Sequence, residues 1–175
     1  MSTKATKVLH SPDKRIRLVS IAAAVLTVIG LYAAGQYLFR MLSSFLGESS
    51  SYPQTMLYPQ FASNLTWCIF LITVLILLIR IAATGRAFTT VNVRILKTAG
   101  TILMLNLILP IVCEIAATVL FSRQDQLMSD LLITLIQSVS QYAGIYSIIM
   151  ILLTALCREV VYYGTMLQTE SDETV

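Results

Sequence analysis

The sequence predicts an all-α integral membrane protein: a four-helix transmembrane bundle with both termini cytoplasmic and a short interfacial helix between spans 2 and 3. Three observations predict it. Only 12% of the 175 residues are charged and 57% are hydrophobic, whereas a soluble domain has about 25% charged residues. The apolar residues are gathered into four blocks, each near the ~20 residues a helix needs to cross ~30 Å of hydrocarbon. The cations, finally, are sorted by side: ten of the twelve Lys and Arg flank the blocks in the N-terminal tail, the segment 80–97 and the C-terminal tail, and positive loops stay inside.

Residues 1–17 are polar and basic, with Lys4, Lys7, Lys14, Arg15 and Arg17 against Asp13. Span 1 covers about 18–39; its apolar run outlasts the 7–15 residues of a signal-peptide core, so it reads as an uncleaved span. A loop rich in serine follows, with Gly47, Pro53 and Pro59 as breakers. Tyr52, Tyr58 and Trp67 suit an aromatic belt at that surface. The sequon at Asn64 falls at the start of span 2 and is discounted. Span 2 covers about 61–81 and span 3 about 99–121. A short loop containing Arg123 and Asp125 leads to span 4, about 131–156, and the tail 157–175 ends acidic.

Between spans 2 and 3, Gly85 suits a helix C-cap needing positive φ, and Thr89 or Thr90 an N-cap. Phe88, Val91, Ile95 and Ala99 share a helical face opposite Thr90, Arg94 and Lys97, the pattern of an interfacial helix bending into span 3. Asn92 lies near the apolar face, where its amide wants a partner: a backbone carbonyl of span 2, or the C-terminal tail. The segment 80–97 has four cations and no acid, while the tail holds Glu159, Glu170, Asp172 and Glu173. That complementarity predicts reversible docking of tail on segment, through exposed pairs of ~0–1 kcal/mol each. The candidate partner-binding residues are Arg86, Phe88, Asn92, Arg94, Lys97, Glu170 and Asp172. Setting topology and touching lipid phosphates is the simpler use of the same cations.

Two stretches resemble a known family. Gly85-x-x-Phe88-Thr89-x-x-Asn92-Val93-x-x-Leu96-x-x-x-Gly100, entering a span, and Gly164-x-x-Leu167-Gln168-x-Glu170-x-Asp172-x-Thr174-Val175 look like four-span bacterial membrane proteins catalogued as domain of unknown function twenty-nine seventy-five. Members are often encoded beside a small helix-turn-helix regulator. The resemblance therefore implies a regulatory cytoplasmic partner, and it supplies no catalytic residues. Glu173 stands where family tails often have an apolar residue.

Within the spans, Glu114 is the one acid, and an intramembrane ionisable group is a functional-site candidate. Gln36 on span 1 and Gln137 on span 4 fall at comparable depth, and Gln141 one turn deeper. The expectation is a polar cluster of Gln36, Glu114, Gln137 and Gln141, with Arg40 reaching it from the surface. Such a cluster serves as interhelical glue or as a site for a proton or small ligand. Asn106 sits four residues before Pro110, where its side chain compensates for the lost helix bond.

The sequence excludes several classes. Cys68, Cys113 and Cys157 form no CxxC pair and His10 is the sole histidine, so neither a metal site nor a cofactor is expected. Cys68 and Cys113 at similar depth leave a disulfide open beside the simpler reading of buried thiols. No nucleophile elbow, paired intramembrane acids or phosphate loop is present, so no enzyme activity is expected. A net charge of +3 is too small to argue for direct nucleic-acid binding. The expected role is a non-enzymatic regulator or anchor in a bacterial plasma membrane, with the bilayer and a cytoplasmic regulator as partners. The alternative is a small transporter or sensor built around Glu114.

Overall fold

In the computed structural model, residues 3–46, 54–121 and 126–173 are described, with side chains over 14–44, 58–120 and 126–171. The chain is all-α, with helices α1 (Thr3–Leu46), α2 (Gln54–Thr84), α3 (Thr90–Phe121), α4 (Leu127–Tyr142) and α5 (Ile145–Glu173). Four of them, all but α4, are long and apolar enough to cross a membrane. Large apolar side chains such as Leu26, Leu120 and Leu152 are exposed, the surface expected where lipid tails replace water. Four such helices fit a multi-pass membrane protein.

The helices pack in chain order and in alternating directions. Gly30 of α1 approaches Leu71 of α2, and Asn64 of α2 reaches back to Met41 of α1. Ser63 and Thr66 of α2 meet Asn106 of α3. On the other flank of α3, contacts step antiparallel through Thr118 with Thr134, Glu114 with Ser138, Gly100 with Thr154 and Phe88 with Gly164. α4 and α5 thus form one kinked partner to α3. Among the described residues no substantial packing joins α1 to α4 or α5, so the helices form an open row with α3 in its interior.

The seam of α3 explains its place. Asn92, Ala99, Leu103, Pro110 and Ala117 are buried, at steps of seven, four, seven and seven residues, the a/d spacing that keeps one stripe on its neighbours. Ala99 and Ala117 on this stripe let backbones approach where no hydrophobic force drives association. Phe70, Ala99 and Leu103 form the core, packed by Trp67, Leu71, Met150 and Ile151. Trp67 stacks on Phe70 at 5.2 Å, so this ring belongs to the core more than to a surface belt. Tyr58 is exposed, and Tyr52 lies outside the described residues.

The sequence reading needs correction at several elements. Residues 131–156 are two helices, broken at Ala143 and Gly144. Ala143 N–H closes α4 on Val139 O (2.9 Å), and Gly144 O receives the first bond of α5 from Ser147 (3.0 Å). The expected C-terminal tail is the continuation of α5 through Glu173, and the described part of the N-terminal tail continues α1. No separate interfacial helix stands between α2 and α3; residues 85–89 are non-helical and Thr90 opens one helix running to Phe121. Buried residues on α3 follow Asn92, not Val91, which is exposed. Of the predicted stripe, Ala99 is buried and Phe88 and Ile95 are half-buried, and Asn92 takes the place of Val91. Cys68 and Cys113 are free thiols.

Asn106 performs a task its sequence context did not suggest. Its Oδ1 accepts from the hydroxyls of Thr66 and Ser63, the latter at 3.3 Å, clamping α3 to α2. Interhelical hydrogen bonds in membranes contribute ~0.6 to ~1.7 kcal/mol. Asn106→Ala and Thr66→Val should each lower unfolding stability in bicelles by about that amount. The double variant should cost less than the two single losses combined, and full additivity would contradict the clamp.

Candidate functional site

The antiparallel row brings the N-terminal side of α1, the 85–89 connection, the start of α3 and the end of α5 to one end of the molecule, here the basic end. The connection is closed at both sides. Gly85 adopts φ +69°, and its N–H bonds Ile81 O at 2.8 Å, the left-handed helix ending that favours glycine. A Cβ there would also meet Arg17 Nε at 3.0 Å, because the Arg17 guanidinium lies over the turn. Thr89 caps α3, its hydroxyl accepting from Asn92 N–H at 3.2 Å.

Asn92 holds the connection from beneath. It is 1% exposed, and its Nδ2 donates to Arg86 O (3.2 Å) and Ala87 O (2.8 Å). The partners are thus carbonyls of the connection itself, not those of α2 or of the C-terminal segment. Its Oδ1 is buried without a partner among the described residues. One buried amide thus ties down two backbone carbonyls of the connection, of which Arg86 O also accepts from the Thr84 hydroxyl at 3.4 Å.

Phe88 joins the connection to α5. Its ring lies where a side chain at Gly164 would stand, so only glycine admits it. The segment and the C-terminal helix do meet, through an aromatic ring set on a bare backbone. Arg86, Arg94 and Lys97 are exposed. Arg158 pairs with Glu159, its neighbour on α5. Glu170 is exposed on the same helix, and the Asp172 side chain lies outside the described residues.

Among the described residues the expected polar cluster does not assemble. Gln36 donates to Tyr32 OH at 2.8 Å, one turn back on α1. Arg40 is exposed on that helix, which packs on α2 and not on α4 or α5. Gln137 and Gln141 are exposed as well. Glu114 instead pairs with Ser138, fully buried, whose Oγ lies 2.7 Å from Oε2. The same hydroxyl is 2.7 Å from Thr134 O, so its single proton is shared between two acceptors. Thr118 donates to Glu114 O (2.9 Å), which leaves its oxygen to accept from Thr134 at 3.1 Å.

The sequence spacing puts Thr134, Gln137, Gln141 and Gly144 on one stripe; of these Thr134 meets α3 through Thr118, and the partner of Glu114 is Ser138, which the stripe omits. Gln137 and Gln141 are the larger polar groups, but both are exposed, and Gln137 sits about 100° round the helix from the buried Ser138. The signal for the correct stripe was a matched pair of i, i+4 spacings, Glu114–Thr118 on α3 and Thr134–Ser138 on α4. Arg17 was also missed as a site residue; only its position beside Gly85 in space marks it.

The Phe88–Gly164 contact makes a sign-dependent prediction. Gly164→Ala should destabilise the protein and speed hydrogen exchange over 85–92, since the new methyl displaces the ring. In a Phe88→Ala background the same change should be neutral or stabilising, by up to ~1 kcal/mol from helix propensity. Equal effects in both backgrounds would show that the ring does not rest on Gly164. Comparison of the chain with family models, curated proteins and solved structures finds no match.

Proposed function

We propose that this chain is a non-enzymatic, multi-pass protein of a bacterial plasma membrane whose basic end faces the cytoplasm and holds a cytoplasmic partner there. The cation asymmetry supports that orientation, and the alternating helix directions bring both chain ends to that side. The first turns of α3 then lie at the membrane interface. The observation that carries the reading is the exposure of Arg86, on a connection fixed by Asn92, Thr89 and Phe88, and of Arg94 just beyond it on α3. Fixed display lowers the ordering cost of capture, and exposed cations steer an acidic face toward the site. The family resemblance of the 85–100 and 164–175 stretches supports a helix-turn-helix regulator as the partner, kept from DNA while it is held at the membrane.

A second reading is favoured by the Glu114–Ser138 pair, an acid held between apolar helices: a small transporter or sensor for a proton, cation or amphiphile. The two separate in one experiment. A photocrosslinker at Ala87, in membranes from cells, should capture one defined cytoplasmic protein. Arg86→Glu with Arg94→Glu should reduce that capture roughly tenfold, while Glu114→Gln leaves it unchanged. Capture that ignores the charge reversals and falls with Glu114→Gln would favour the second reading.

A further inference from the structure

A groove of about 290 Å³ lies between α3 and α5 near the basic end. Lys97 and Arg158 stand at its mouth, and Met104 and Ile151 line its deeper part. The contacts of Gly100 with Thr154 and Phe88 with Gly164 place Lys97 and Arg158 at one level across the two antiparallel helices. Gly100 and Ala155 open the space by lacking bulk. The hydroxyls within it turn away: Thr101 donates to Lys97 O at 3.1 Å and Thr154 to Met150 O at 2.7 Å. The walls are therefore apolar while the mouth is cationic.

We propose that this groove binds one anionic phospholipid, with its phosphate between Lys97 and Arg158 and an acyl chain along Gly100, Met104 and Ile151. Charge complementarity identifies the occupant. Arg158 is paired with Glu159, so two cations and one acid leave a single positive charge at the mouth, matching one anionic headgroup. A guanidinium has five donors, and its pair with Glu159 leaves others for phosphate. A free phosphate would leave the apolar walls uncovered. Any lipid tail fills those walls equally well, so the mouth alone sets selectivity. The groove borders the partner-capture residues, since Lys97 follows Arg94 by one turn of α3, and the lipid test reads Lys97 with Arg86 and Arg94 left intact.

Native mass spectrometry of the purified full chain, titrated with phosphatidylglycerol or phosphatidylcholine, tests the assignment. The wild type should retain one phosphatidylglycerol in preference to phosphatidylcholine. Lys97→Gln should lower that retention about fivefold. Ala155→Phe, at an exposed position on α5, should abolish it by filling the groove. Glu159→Gln should strengthen retention by removing the competing acid, and Arg80→Gln, an equal charge loss outside the groove, should change nothing. Circular dichroism and elution volume confirm that each variant folds. Equal binding of the two lipids, loss in Arg80→Gln equal to that in Lys97→Gln, or no effect of Ala155→Phe would each overturn the proposal. Displacement of the lipid by millimolar inorganic phosphate would reassign the groove to soluble anions.

Discussion

The buried seam of α3 is the constraint on which the other helices depend. In lipid, an apolar helix gains nothing by leaving the tails for another apolar helix, so association rests on close packing and on polar groups that need partners. Ala99, Leu103, Pro110 and Ala117 supply the first, and they do so at heptad spacing, which keeps one stripe in contact along the helix length. Asn92, Asn106 and Glu114 supply the second. Each has a separate partner: the carbonyls of Arg86 and Ala87, the hydroxyls of α2, and Ser138 of α4. These residues divide α3 by height, and each level binds a different neighbour.

That division gives the two ends different characters. At the basic end, polar groups of the backbone are tied inward by Asn92, and the cations are left outside. At the Glu114 level the polar side chains face each other and the glutamines face out. A carboxylate bonded to a buried serine joins α3 to α4 directly, which accounts for the acid as interhelical glue without any ligand. The basic end has no such internal account for its exposed Arg86 and Arg94, and for that reason the proposed function is placed there.

The meeting of Phe88 with Gly164 links these ideas. Exposed ion pairs are weak and salt-sensitive. A ring seated on a glycine depends on shape instead and does not compete for the arginines. The stretch around Phe88 and the one beginning at Gly164 are thereby brought into contact, although they lie on opposite sides of two apolar blocks in the chain.

Some of this was determined by the sequence alone. Blocks of apolar residues near twenty long have one economical fold in lipid, so the all-α class and four apolar helices were legible, as were the Gly85 ending and the Thr89 cap, which depend on neighbouring residues only. The tertiary structure decided the rest. Whether Gln137 or Ser138 faces Glu114 turns on 100° of helix rotation, which the polarity of isolated residues does not report. The clamp at Asn106 follows from the packing of α3 on α2, and the break at Gly144 and the helical course of both tails appear only in the folded chain. Arg17 over Gly85 and Phe88 on Gly164 join residues distant in the chain, and the antiparallel register that aligns them is a property of the packed helices, not of any single segment.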